Sequence, residues 1–204
     1  MPFNTKFILL SSSKSRISIL KKINLNFIHT KHHCNENYFK KKMKEKKISP
    51  KKISLELAKL KAKSISTKQN DILIIGSDTV IDLNGKLLGK PKNRKDAKNN
   101  IKKLAGRTHT IISSIAAYYN SKLVWFVSEK TKVKIRKLKK IEINDYINDC
   151  GPSILGSAGC YQIEKKGPLI IIEKINGDFF NVMGFPLFSF LKFLKKFNLK
   201  KYKK

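Results

Sequence analysis

Asp78 stands where a reactive carboxylate is expected, just past the apolar run Asp71-Ile-Leu-Ile-Ile-Gly76, in the sequence Gly-Ser-Asp-Thr. Folds built from strands and helices place reactive groups at the ends of buried strands, where loops leave them open to a ligand. An aspartate capping a turn fits the same position, so the surrounding residues carry the decision. Ser11, Ser13 and Arg16 have the makings of an anion cradle at a helix start: hydroxyls, N–H groups that the helix leaves unused, and a guanidinium. Lys61 falls on the polar side of a second helical segment, and Lys90 is held in a turn between Gly89 and Pro91. A carboxylate among cations of this kind suits chemistry on an anionic substrate.

The elements that must position these residues can be read from periodicity. Lys6 to Leu10 reads as a short strand, and a helix follows with Ile17, Leu20 and Ile23 on one face. Residues 31–49 are dense in Lys and Asn and read as a mobile loop. Ser49-Pro50 opens a second helix, Ser as cap and Pro at the first position, with Ile53, Leu57 and Leu60 facing inward. The buried strand 71–76 is followed by a hairpin at Asn84-Gly85. A third helix spans Arg94 to Leu104, with Ala97, Ile101 and Leu104 inward and Gly106 as its stop. Strands are expected near 109–118, 123–128 and 131–138, then an acidic helix from Glu142 to Ile147 and a Gly-rich turn at 151–159. A strand at Leu169–Ile175 and a helix from Pro186 to about Phe197 complete the order, with a frayed lysine-rich end. No repeat and no Pro-, Gly- or Ser-rich linker divides the chain. The expectation is an α/β fold of one domain over residues 1–204: a single twisted, mixed sheet flanked by helices around a cleft, not a doubly wound parallel sheet.

The 204 residues are enough for one hydrophobic core, and the 41% hydrophobic content is ordinary for a folded domain. No apolar run approaches the roughly 20 residues of a membrane span, and the stretch Phe7 to Leu10 is too short for a signal peptide. A cytoplasmic protein without membrane partners is expected. The net charge of +31 suggests nucleic acid, but of the 45 basic residues only Arg16, Arg94, Arg107 and Arg136 are arginine. Specific readers of phosphate and base favour the planar Arg fork. Lysine spread through every segment, beside abundant Asn and Ile, fits A/T-biased codons, so no specific nucleic-acid partner is expected. Cys34, Cys150 and Cys160 form no C-x-x-C pair and read as free thiols. His29, His32, His33 and Cys34 crowd together without the spacing of a closed zinc site.

The stretch Ile8-Leu-Leu-Ser-Ser-Ser-Lys-Ser-Arg16 resembles the opening motif of the Maf family, and Leu57-Ala-Lys-Leu-Lys-Ala62 is similar to its L-A-x-x-K-A helix. Gly76-Ser-Asp-Thr-Val80, Leu88-Gly-Lys-Pro91 and Leu104-Ala-Gly-Arg-Thr-His109 follow in the family's order. So do Ala158-Gly-Cys-Tyr-Gln-Ile-Glu164 and the block from Gly177 to Leu187. Any of these could arise alone; the collinear set, running across nearly the whole chain, is specific. The resemblance implies an inosine-triphosphatase-like architecture around a nucleotide cleft. It also implies a possible homodimer and an enzyme that splits a nucleoside triphosphate into monophosphate and pyrophosphate with Mg²⁺ or Mn²⁺.

In that reading Asp78 takes the attacking water's proton, holds the metal that activates it, or both. Arg16, Lys61 and Lys90 bind phosphate oxygens, Ser11 and Ser13 supply hydroxyls and N–H groups, and Glu36 is the candidate second metal ligand. Three markers of base choice disagree. Ser15 replaces the first of two arginines found in the dTTP/UTP-type members, and Thr79 matches that type. Glu164 matches the 7-methyl-GTP type, whose Glu accepts hydrogen bonds where the other type's Gln can also donate. The expectation is therefore a broad pyrophosphatase that clears non-standard nucleotides. The alternatives are a narrow dTTP/UTP or 7-methyl-GTP enzyme, or a regulatory protein of septum formation that needs no intact site.

Overall fold

The computed structural model describes residues 5–66, 71–161, 163 and 170–201. One seven-stranded mixed sheet organises them, in the order β2-β1-β3-β5-β6-β7 with β4 hydrogen-bonded to β3. The strands are β1 (Phe7–Leu10), β2 (Phe27–Thr30), β3 (Leu73–Leu83), β4 (Lys86–Leu88), β5 (Thr108–Tyr119), β6 (Lys122–Ile135) and β7 (Ile172–Asn176). β1 runs parallel to both β2 and β3; every other pairing is antiparallel. This is the mixed, helix-flanked sheet expected from the sequence.

Side chains alternate along β3, as a strand requires. Ile74, Gly76, Asp78 and Val80 face helix α3 (Pro50–Ser66), whose Ile53, Leu57, Ala58 and Ala62 complete the core on that side. Gly76 makes this packing possible, because a Cβ there would lie 2.1 Å from Ala58 O and 2.6 Å from Ala62 N. Leu73 and Ile75 face the other layer, where α1 (Lys14–Lys22) and α7 (Leu187–Lys201) pack through Ile19, Leu20, Phe190 and Leu194. Further along that face, α4 (Arg94–Leu104) and α5 (Lys140–Cys150) cover Ile81, Ile111 and Val133. A 3₁₀ segment (Gly151–Gly156) and the short α6 (Phe179–Val182) complete the described elements.

Several boundaries differ from the sequence reading. β3 does not end at Gly76. It continues to Leu83, because Ser77, Asp78 and Thr79 stay in register with Ile115, Ser114 and Ser113 of β5. Asp78 is therefore a mid-strand residue. Residues 31–49 are not a mobile loop but hold α2 (Glu36–Glu45), capped where Asn35 Oδ1 accepts from Tyr38 N at 3.1 Å. Phe39 and Met43, one helical turn apart, pin α2 on α3. The strands expected at 123–128 and 131–138 are one, since residues 128–130 keep pairing with β5. The inward stripe of α1 is Arg16, Ile19 and Leu20; Ile23 lies past the helix end and is exposed. β7 begins at Ile172, α5 is longer than the acidic stretch, and α7 extends to Lys201. Leu169 and the last residues, 202–204, lie outside the described residues.

The hairpin at Asn84-Gly85 is as expected, both residues having positive φ and Asp82 Oδ1 accepting from Gly85 N. Among the described residues no helix is long and apolar enough to cross a membrane, and the three cysteines are free.

One feature of the sheet matters most for function. β1 stops at Leu10, opposite Gly76, and β4 begins to pair only at Ile81. On that side residues 77–80 of β3 have no neighbouring strand, which leaves a notch in the sheet beside the end of β1.

Candidate active site

The notch collects the charged residues. The close approach of α3 to Gly76 carries Lys61 down onto β3, where its Nζ lies 2.7 Å from Asp78 Oδ1. The same ammonium is 3.1 Å from Glu36 Oε1 and 3.5 Å from Ser77 O. Lys61 and Asp78 are each 5% exposed, so their charges meet with little water between them. Asp78 Oδ2 is buried and has no hydrogen-bond partner. Ser54 on α3 steadies the strand here, donating to Asp78 O at 3.1 Å and Ile112 O at 3.3 Å.

Glu36 reaches the site from the first turn of α2, and His32 Nε2 lies 2.6 Å from the same Oε1. Desolvation pushes the Glu36 carboxyl upward. The charge and hydrogen bond of Lys61, helped by His32 and Lys90, outweigh it and hold the group below the usual range.

Arg16 enters from the other face of the sheet. Its Nε donates to Gly184 O at 2.8 Å, Nη1 to Ser77 O at 2.9 Å and Ser11 Oγ at 3.4 Å, and Nη2 to Thr79 Oγ1 at 2.7 Å. Burial lowers its pKa, opposed by the charges of Asp78 and Glu36. Gly184 sits at φ +96° with its carbonyl in this network, and a Cβ there would lie 3.0 Å from Thr79 Oγ1. Thr79 Oγ1 is also 2.9 Å from Ser113 Oγ, which donates to Asn181 O. Two cations thus converge on the carbonyl of Ser77 from opposite faces of one strand.

The structure brings together Asp78, Lys61 and Glu36 on the α3 side, and Arg16, Ser11 and Thr79 on the other. Ser13 caps α1, its Oγ accepting from Arg16 N, while Ser13 N donates to Ser11 Oγ. Lys90, between β4 and α4, is exposed at its surface. Partial desolvation lowers its pKa first and the nearby charge of Arg16 next, while Glu36 and Asp78 oppose. Glu164 lies outside the described residues. Sequence reasoning missed Ser54, Ser113 and the carbonyls of Ser77 and Gly184, and weighed His32 only as part of a zinc-like cluster, not as a partner of Glu36. Ser77 and Gly184 left a trace in sequence, each inside a recognised motif, and His32 did so in the His/Cys cluster.

The donor set fits a small hard cation. Mg²⁺ and Mn²⁺ prefer oxygen and need only one or two carboxylates when substrate phosphates supply the rest. Asp78 Oδ2, buried without a partner, and the Glu36 carboxylate across Lys61 Nζ meet that requirement. Among the described residues, no group of three or more His, Cys, Asp or Glu side chains gathers as an all-protein metal centre.

Residues 6–197 match the family described as Maf-like protein. The chain is 37% identical over 184 residues to the 7-methyl-GTP pyrophosphatase of Bartonella quintana, covering 90% of this chain and 91% of that one. It is 32% identical over 190 residues to the nucleoside triphosphate pyrophosphatase of Pelagibacter ubique, covering 93% and 97%. With the dTTP/UTP pyrophosphatase of Thermosipho africanus it shares 37% identity over 182 residues, covering 89% and 88%. The sheet, the notch and the Asp–Lys–Glu cluster define an α/β protein with a buried charged site on β3. The chain belongs to the Maf-like family.

Proposed function

We propose that this protein is a nucleoside triphosphate pyrophosphatase, cutting NTPs and dNTPs between the α- and β-phosphates. One observation carries the reading: a buried aspartate with one oxygen held by Lys61 and the other unpartnered, beside an open strand edge lined by cations. In the reaction a water oxygen bonds to the α-phosphorus and the bond to the β-phosphate's bridging oxygen breaks, pyrophosphate leaving with the electron pair. Asp78 Oδ2 accepts the water's proton while Lys61 holds Oδ1 in place. Lys90, exposed at the mouth, and Lys61 balance charge growing on the departing group. Arg16 offers charge from the other side while its hydrogen bonds hold β1, β3 and the Gly184 turn in place. When bound, a divalent cation at Asp78 and Glu36 would add Lewis-acid polarisation of phosphate oxygens.

The whole chain acts as one catalytic domain, in the cytoplasm where its substrates are, with pairing into a homodimer as a further part of this reading. Breadth rather than one base is the substrate assignment, because the similar proteins divide between 7-methyl-GTP, dTTP/UTP and general pyrophosphatases by name. Glu164 and Thr79 remain the candidate contacts for the base.

The test is pyrophosphate release from dTTP, UTP, CTP, GTP and 7-methyl-GTP with Mg²⁺ or Mn²⁺, for wild type and Asp78→Asn. Turnover that disappears in the variant supports the reading, and the preferred base fixes the substrate class. Folded wild-type protein inert on every nucleotide with both metals would overturn it and favour a regulatory role.

A further inference from the structure

The histidine- and cysteine-containing stretch before α2 has no place in the reaction as derived. It gathers no metal centre of its own. What it does instead is read from a short chain of contacts. Cys34 Sγ lies 3.3 Å from His32 Nδ1, and His32 Nε2 lies 2.6 Å from Glu36 Oε1. Glu36 Oε1 is in turn 3.1 Å from Lys61 Nζ.

A ring nitrogen 2.6 Å from a carboxylate oxygen must carry a proton, since two acceptors would repel at that distance. Nδ1, on the far side of the ring, lies against Cys34 Sγ, so the imidazole is held from both sides. Cys34 thereby steadies the ring in the orientation that faces Glu36.

The effect on Glu36 is specific. His32 and Lys61 both engage Oε1, so Oε2 carries neither bond and is the oxygen left for a cation. The restraint is needed, because α2 buries no residue fully and the Glu36 side chain is 36% exposed. A glutamate on so lightly anchored a turn would otherwise spread over several rotamers, and that freedom would be lost on metal binding. Hydrogen-bond partners behind a ligand commonly change metal affinity by about 10- to 100-fold.

We propose that His32, steadied by Cys34, is a positioning residue that holds Glu36 ready for the divalent cation. The proposal rests on the reading of Glu36 as a metal ligand. Its test is direct Mn²⁺ binding without nucleotide, followed by the spin-resonance signal of free Mn²⁺. His32→Ala should weaken binding about 10-fold, and His32→Gln, whose amide N–H can reach the same oxygen, should recover most of the loss. In a Glu36→Gln background, His32→Ala should change nothing further. Turnover of His32→Ala should return at saturating Mn²⁺ with the nucleotide KM unchanged, which a general loss of structure would not allow. Wild-type Mn²⁺ affinity in His32→Ala, failure of Gln to recover it, or an equal loss in the Glu36→Gln background would each overturn the proposal. If Glu36→Gln itself leaves Mn²⁺ affinity unchanged, the metal-ligand reading fails and takes the proposal with it. If Glu36→Gln weakens binding and His32→Ala does not, only the proposal fails.

Discussion

The ammonium of Lys61 lies 2.7 Å from Asp78 Oδ1 and leaves Oδ2 of the same buried carboxylate without a partner. One oxygen is thus committed to fixing the group and the other is available to act. Asp78→Asn keeps the shape and an acceptor for Lys61 but removes the negative charge and the basic oxygen. Pyrophosphate release should fall at least about 1,000-fold. Stability should fall by only about 1–3 kcal/mol, because Glu36 still balances Lys61. Urea unfolding beside the activity assay separates the two effects. A variant with near-wild-type turnover would remove Asp78 from the chemistry.

Lys61 bridges two carboxylates, so in the absence of metal it is the cation that makes their proximity tolerable. In Lys61→Met, Asp78 and Glu36 lose the cation that bridges them, and removing one partner of a buried ion pair costs about 3–5 kcal/mol. The exposure of Glu36 places the expected loss at the low end of that range. The variant should melt well below wild type in a chelator, and added Mg²⁺ should restore more of its melting temperature than of wild type's. Equal metal responses in the two proteins would show that the carboxylate pair does not take the cation.

Thr79 and Asp78 are neighbours in sequence, yet strand alternation sends their side chains to opposite faces of the sheet. Thr79 Oγ1 accepts from Arg16 Nη2 and stands 2.9 Å from Ser113 Oγ. Thr79→Val leaves two buried polar groups short of a partner and should cost about 2–4 kcal/mol, at about 1–2 kcal/mol for each. Thr79→Ser keeps the hydroxyl and should stay within about 1 kcal/mol of wild type. If Thr79 acts mainly through Arg16, Thr79→Ser should also leave the preference among dTTP, UTP and GTP unchanged. A shift in that preference would make the Thr79 methyl a base contact.

How much of this was legible beforehand differs by residue. Asp78 is legible because a buried apolar run points to it, but its mid-strand setting is not. Nothing in Gly-Ser-Asp-Thr reveals that β5 keeps pairing across it to carry the strand on to Leu83. Lys61 could not be told from its many neighbours by composition. Its burial comes from the packing of Ala58 and Ala62 on Gly76, which is a tertiary fact. The α2 helix was hidden because lysine dominates it, and its two anchors, Phe39 and Met43, make a stripe only one turn long. The hairpin and the α4 helix were legible because their signals are local: an Asn-Gly turn and a spaced apolar face. The notch at residues 77–80 arises from where two other strands stop, and no local pattern encodes it.

His109 supplies a test of the core that is independent of the active site. It lies on β5, 2% exposed, with Nε2 hydrogen-bonded to Tyr161 Oη and Nδ1 without a partner. Burial lowers its pKa from 6.5 to about 4. The unfolded chain therefore takes up a proton as pH falls through about 6.5, while the folded protein resists until about 4. Because the unfolded state binds more protons across that window, stability must fall as pH drops. The full shift corresponds to about 3 kcal/mol lost between neutral pH and pH 4. His109→Gln can still hydrogen-bond Tyr161 but cannot titrate in this range. It should be less stable than wild type at pH 7, and the gap should narrow steadily toward pH 4.5 in urea unfolding. A constant gap at every pH would mean that His109 protonates as readily in the folded chain as in the unfolded one, and that its burial carries no electrostatic cost.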